Sequence, residues 1–331
     1  MEQNQTLLQL TKFVLLGNVD SGKSTLAGRI LIDTKAVDES EINKVQRESE
    51  KNNKQSFWLA YLLDIDDVER ERGITLGYTN YPFSYEEKKY EIYDVPGHKD
   101  LVQEMVMGSS HCNLGIIVLS ARKGEYESSL KGQTLEHVLI ARGMGISSLV
   151  VCINKMDLIE WNMDIYNQIK TDFTERIKKF RFKHIEFCPI SAYTGENIVS
   201  TKNIDISKNL LEIIKTIKIE QTVDKYFDLK DKNTLKTKFI FDNIDSSFGL
   251  ITSGFNAIAH SKDKYYSIVF KNIKNDKVNY VTHKNSLDNK GNGKLIDVEI
   301  EFIDKPEQIH CNLVIRTNDK TIGLAKVYDI Y

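Results

Sequence analysis

The sequence predicts a mostly parallel α/β sheet with helices on both faces, followed by one small β-barrel. Two changes of texture carry this. Up to about residue 218, short apolar runs alternate with helical patterns; beyond residue 234 the runs become short, β-branched and aromatic, with Asn, Asp, Lys and Gly between them. A third observation anchors the first half. Gly17-Asn18-Val19-Asp20-Ser21-Gly22-Lys23-Ser24 directly follows the apolar run Phe13-Val14-Leu15-Leu16, so a glycine-bounded loop stands where a strand turns into a helix. With 331 residues and 41% hydrophobic content the chain can bury two cores, at roughly 100–200 residues per domain.

Element by element, the first half offers strands at Lys12–Leu16, Tyr90–Tyr93, Gly115–Leu119, Leu149–Ile153 and Glu186–Ile190, with helical patterns such as Gln133–Arg142 and Tyr166–Lys179 between them. Alternation at this spacing implies helical crossovers and hence a parallel sheet. Leu210, Leu211, Ile213, Ile214 and Ile217 recur at helical spacing and read as a core-facing helix that closes this domain. Residues 221–234 are polar and charged, a linker by composition. Beyond them Leu235–Phe241, Tyr265–Phe270, Lys277–His283, Lys294–Phe302, Asn312–Arg316 and Thr321–Tyr328 predict the barrel. The expected division is a first domain at 1–220, a linker at 221–234 and a barrel at 235–331.

Composition excludes several classes. A net charge of −2 argues against a dedicated polyanion binder and leaves only a local basic face for nucleic acid. Cys112, Cys152, Cys188 and Cys311 lack CxxC spacing and read as buried thiols of a reducing compartment, neither disulfide nor zinc site. The N-terminus, Met-Glu-Gln-Asn-Gln, has no basic and apolar leader, and no run of about 18 apolar residues occurs. No membrane partner and a cytoplasmic location are expected. Loops rich in Asn, Lys and Ile are what an AT-rich genome writes, as in a protist parasite or a large DNA virus, and a viral source would make this the host cytoplasm.

The loop at 17–24 is a phosphate cradle. Its glycines let the backbone N–H groups along Asn18, Val19, Asp20, Ser21 and Gly22 point inward at a β-phosphate, and the helix N-terminus at Lys23, Ser24 and Thr25 adds partial positive charge. Lys23 neutralises β- and γ-oxygens, and Ser24 offers a hydroxyl to Mg²⁺. Asp94-Val95-Pro96-Gly97-His98 follows another strand. There Asp94 can hold the Mg²⁺ hydration waters, while the Gly97 N–H, unobstructed by a side chain, can approach the γ-phosphate. Asn154-Lys155-Met156-Asp157 follows a further strand, where open α/β sheets bind ligands. The Asp157 carboxylate only accepts, so it can take both N1–H and the 2-amino group of guanine, donors that adenine does not present at that edge. Asn154 would tie this loop to the phosphate loop, and the Lys155 stem would cover the base. Ser191-Ala192-Tyr193, after the next strand, would set a backbone N–H on the guanine O6. The ligands expected are GTP, its product GDP, and Mg²⁺.

Taken in order, GxxxxGKS, ERxRGIT, DxPGH, NKxD and SA resemble the translational GTPases. The wording is closest to elongation factor 1-alpha and its relatives, the eukaryotic class II release-factor GTPase and the GTPase of ribosome rescue. Leu62-Leu63-Asp64 with Glu69-Arg70-Glu71-Arg72-Gly73-Ile74-Thr75 resembles their first switch, and Gly97-His98-Lys99-Asp100, Gly132-Gln133-Thr134 and Ser191–Asn197 continue the likeness. The resemblance implies hydrolysis of GTP to GDP and phosphate, slow without an activating partner. It implies that Thr75 joins Ser24 on Mg²⁺ with Asp94 acting through water, and that His98 orients the attacking water. Val19 and Ile74 match the apolar gate of that histidine, and Asp20 falls where the family binds a monovalent cation or meets the ribosome.

Relatives in that family carry two β-barrels after the GTPase domain, and this chain has room for one. Ile251-Thr252-Ser253-Gly254-Phe255, Lys294–Phe302 with Lys305-Pro306, and Thr321–Val327 resemble the last of them. The middle barrel, which helps hold the aminoacyl end of tRNA in decoding relatives, is expected to be missing. That argues against tRNA delivery and leaves the ribosome and a release-factor-like or rescue-factor-like protein as expected partners. The alternative is a GTP-gated binding module or decoy for a translation partner, with little turnover. A sulfate-activation GTPase stands third.

Overall fold

The computed structural model describes residues 10–51, 58–63, 75–131, 133–200, 207–220, 225–230, 232–241, 250–276, 278–282, 286, 294–304, 306–318 and 320–330. The chain divides into two compact units. One comprises Met1–Thr134, Ser147–Glu175 and Phe182–Glu220; the other comprises Leu135–Ile146, Arg176–Arg181 and Gln221–Tyr331.

The first unit is built on a six-stranded sheet of β1 (Thr11–Leu16), β2 (Thr79–Tyr85), β3 (Lys88–Asp94), β4 (Leu114–Ser120), β5 (Ser148–Asn154) and β6 (His184–Pro189), in the order β2-β3-β1-β4-β5-β6. All neighbours are parallel except β2 and β3. Every residue of β4 and β5 is buried, the expected reading of continuous apolar runs covered on both faces. Helix α1 (Lys23–Asp33) packs Leu26, Ala27, Ile30 and Leu31 into the core with Phe13 and Leu15 of β1. Because five strands run the same way, Leu16, Asp94, Ser120, Asn154 and Pro189 end at one edge of the sheet. The sequence reading omits β2, whose Pro82 interrupts a strand pattern; β2 lies at the sheet edge, where a missing N–H is tolerated. It also omits the helix Glu39–Lys51, which is mostly charged and buries only Val45 and Ser49.

The second unit is a closed six-stranded antiparallel barrel. Its strands run in the order Asn256–Ser261, Lys264–Lys274, Leu295–Phe302, Thr234–Phe241, Thr321–Ile330 and Asn312–Arg316, and the last pairs with the first. Residues alternate in and out along Thr234–Phe241 and Leu295–Phe302, and Phe239, Phe241 and Phe270 fill the interior. The stretch 221–234 is not simply a linker. Tyr226–Asp228 forms a strand antiparallel to Gln308–His310, and Thr234 already belongs to the first barrel strand. Phe227 packs on the barrel core with the Lys225 ammonium 4.7 Å above its ring, so two aromatic residues outweigh the charged composition around them. Of the strand expected at Lys277–His283, the structure has Tyr280–Val281, paired with Ile251–Thr252; Lys277 and His283 lie outside the described residues. The helix Thr134–Gly143 groups with the barrel: Glu136 Oε1 accepts from Thr321 N (2.9 Å) and Thr321 Oγ1 (2.7 Å) and lies 3.3 Å from Arg316 Nη1.

Candidate nucleotide-binding site

The site lies wholly in the first unit, at the strand edge where β1, β3 and β5 end. Between β1 and α1 the backbone turns through left-handed conformations, with φ of 144° at Gly17, 62° at Asp20 and 94° at Gly22. A Cβ on Gly17 would sit 2.4 Å from Val118 O, and one on Gly22 2.4 Å from Asn154 Nδ2, so both positions need glycine for space as well as for φ. Lys23 is buried, and its Nζ donates to Asn18 O at 3.0 Å. Burial pushes its pKa down, opposed by the nearby Asp94 and Asp20 charges. A Cβ on Gly97 would come within 2.5 Å of that same Nζ, which places the DxPG backbone directly against the lysine head.

Ser24 Oγ and Thr75 Oγ1 lie 3.4 Å apart, and the buried Asp94 ends β3. The two hydroxyls and the Asp94 carboxylate are hard oxygen donors of the kind that suits Mg²⁺ completed by phosphate and water. The Ser21 hydroxyl is buried without a hydrogen-bond partner among the described residues, next to the curled backbone of the loop. Both features fit a phosphate group with its metal ion.

Asn154 is the hub of the far side. Its Nδ2 donates to Ser21 O at 2.9 Å and its Oδ1 accepts from Ala192 N at 2.9 Å, so one amide joins the phosphate loop, the end of β5 and the loop after β6. Arg29 of α1 fastens that last loop again, through Nε to Ala192 O (3.3 Å) and Nη2 to Tyr193 O (2.6 Å). Ser191 Oγ accepts from Thr194 N, closing the turn. Lys155 adopts φ 64°, and its Nζ lies 2.7 Å from Glu125 Oε2. Burial raises the Glu125 carboxyl, but hydrogen bonds from Lys155 and Ser120 leave its pKa below the usual value.

These parts enclose a cavity of about 480 Å³, within the range of small-molecule sites. Of the residues singled out by sequence, Val19, Asp20, Gly22, Lys23, Ser24, Thr25, Thr75, Gly97, His98, Asn154, Lys155, Asp157, Ala192 and Tyr193 line it. Asn18, Ser21, Asp94 and Ser191 are not lining residues; the first two take part through the carbonyls that bind Lys23 and Asn154. Ile74 lies outside the described residues. His98 is partly exposed, and its Nδ1 accepts from Asp100 N at 3.4 Å. Sequence reasoning missed Ala60, Glu125 and Leu158, which also line the cavity. The signal available for Glu125 was its place just beyond an apolar strand that ends beside the NKxD strand.

A strand, a glycine-bounded loop and a helix N-terminus opening on one cavity that the acceptor-only Asp157 carboxylate also lines define a P-loop nucleotide-binding domain. Residues 8–229 match the elongation factor Tu GTP binding domain, and the chain belongs to that family of translation-factor-type GTPases. Over 192 residues it is 42% identical to elongation factor 1-alpha of Staphylothermus marinus, covering 56% of this chain and 44% of that protein. Over 193 residues it is 39% identical to the eukaryotic peptide chain release factor GTP-binding subunit of Schizosaccharomyces pombe, covering 56% of this chain and 29% of that one. The chain thus matches less than half the length of these relatives, over the GTP-binding region alone, which fits a missing middle barrel. In fold it is similar to the Ski7 GTPase-like domain of S. cerevisiae solved with GTP, with a TM-score of 0.76 over 96% of this chain and 97% of that one at 13% identity. No helix among the described residues is long and apolar enough to cross a membrane.

Proposed function

We propose that this protein binds GTP and GDP with Mg²⁺, hydrolyses GTP to GDP and phosphate, and acts in or on translation in a release- or rescue-linked role rather than in tRNA delivery. The observation that carries the nucleotide reading is the Asn154 amide, which joins the phosphate loop to the Ala192 loop across one cavity that Asp157 also lines. In this reading the loop N–H groups and Lys23 hold the phosphates, and Ser24, Thr75 and, through water, Asp94 hold Mg²⁺. A metal ion held there would neutralise phosphate charge. His98 lies at the cavity wall beside Gly97, where an imidazole can hold a water in line with the γ-phosphate. Phosphoryl transfer needs positioning and charge stabilisation more than basicity, so one aimed imidazole suffices. The family and the homologues named above support GTP hydrolysis in general.

Asp157 lies against the base in this reading, and adenine would leave its carboxylate unpaired at a cost of about 3 kcal/mol or more. A fluorescence titration should therefore show GTP and GDP binding at least about 100-fold tighter than ATP. Equal affinities would refute the guanine reading. Asp157→Asn should shift preference toward xanthosine triphosphate, whose ring offers an acceptor at that edge.

One observation favours the second reading, a GTP-gated binding module with little turnover: the His98 imidazole is engaged by its own turn through Asp100. Phosphate release in a single-turnover assay with ribosomes present separates the two.

A further inference from the structure

Glu125 stands outside every motif named so far, yet it lines the nucleotide cavity at the start of the helix Lys123–Lys131. Three donors converge on its carboxylate. Oε2 accepts from Lys155 Nζ at 2.7 Å and from Ser120 Oγ at 2.7 Å, and Oε1 accepts from Arg122 Nη1 at 2.8 Å. The support beneath it is built from strand ends. Ser120 is the last residue of β4 and pairs in register with Asn154 of β5; its Oγ also accepts from Arg122 N at 3.2 Å, while Ala121 N donates to Asn154 O at 2.7 Å. The carboxylate is therefore fixed to the end of β4, directly beside the end of β5 from which the Asn154–Asp157 loop leaves.

We infer that Glu125 is a positioning residue for guanine recognition, anchoring the Lys155 ammonium so that the lysine stem is held across the face of the nucleobase. This rests on the reading that the cavity takes a guanine nucleotide. Lys155 has many rotamers when free, and a ligand that must order such a side chain loses affinity. Its left-handed backbone, with φ 64°, and the ion pair at its far end fix both ends of the stem before any ligand arrives. The stem is then a preformed apolar cover beside Asp157, which lines the same cavity. An ion pair serving stability alone would sit as well on any face; this one joins two residues of the cavity wall.

The test uses the full chain and a fluorescent GDP analogue as probe, with the parent, Glu125→Ala, Glu125→Gln, Lys155→Ala and the Glu125→Ala/Lys155→Ala double variant, each checked by thermal denaturation. Glu125→Ala should weaken GDP about tenfold, the scale of one charge-assisted hydrogen bond, and Glu125→Gln, which keeps an acceptor, should weaken it less. In the Lys155→Ala background Glu125→Ala should add nothing, because its effect runs through the lysine. Parent affinity in Glu125→Ala, or full additivity in the double variant, would overturn the inference while leaving the guanine reading intact. A parent with no affinity for GDP overturns both. Should Glu125→Ala fail to fold, the near-isosteric Glu125→Gln decides: a weakened GDP affinity supports the inference, and an affinity equal to the parent's overturns it.

Discussion

Lys23 and His98 face the same cavity with opposite environments, and the contrast separates binding from chemistry. Lys23 is buried with its ammonium against the loop backbone, so truncating it removes the charge that the phosphates need; Lys23→Ala should lose GDP affinity outright in equilibrium titration. His98 is partly exposed and hydrogen-bonds within its own turn, so His98→Ala should leave affinity nearly unchanged. Its partner-stimulated single-turnover rate should fall on the order of 10²-fold, the scale for losing a positioned proton or water partner. In the barrel, His260 is a different case. Burial first, and the Arg316 charge second, lower its pKa from 6.5 to about 4. The unfolded chain therefore binds a proton between those values that the folded barrel refuses. Stability is full above pH 6.5 and falls toward pH 4, by about 3 kcal/mol if the whole shift is expressed. Denaturant melts across that window should show the loss, and His260→Gln should flatten it.

At the scale of elements, α1 meets the short helix Trp58–Tyr61 through Gly28, where an added Cβ would come 2.2 Å from Leu59 O. Both partners are backbone, so neither can swing aside. Gly28→Ala should destabilise the first unit by about 1–3 kcal/mol, the usual range for overpacking, and lower its melting temperature accordingly. Nothing in the sequence marks Gly28 for this role, because close approach between helices leaves no periodic trace. The strand-loop-helix of the phosphate cradle was legible because glycine spacing and apolar runs are local facts, and the same holds for β3, β4, β5 and β6. Tyr226–Asp228 was hidden by charged neighbours, and Asn256–Ser261 by small and polar residues such as Ala257, Ala259 and His260. Glu125 escaped for another reason: what distinguishes it is convergence of Ser120, Arg122 and Lys155 in space.

For the molecule as a whole, the informative fact is order: among the described residues the GTP-binding unit is succeeded in sequence by one closed barrel, and the likeness to elongation factor 1-alpha spans 192 residues, 56% of the chain. The proposed role excludes tRNA delivery, because among the described residues no second barrel stands between the two units in sequence. Without one, the surface left for tRNA is that of a chain with net charge −2, which supplies little of the phosphate neutralisation on which nucleic-acid affinity depends. Charged tRNA should therefore form no GTP-dependent complex with this protein at micromolar concentrations, in gel shift or in protection of the aminoacyl ester from hydrolysis. Under the same proposal, a release-factor-like protein should be retained on the immobilised GTP-analogue form. Recovery of a tRNA complex that dissolves when GTP is replaced by GDP would make the middle barrel dispensable and return the protein to a decoding role.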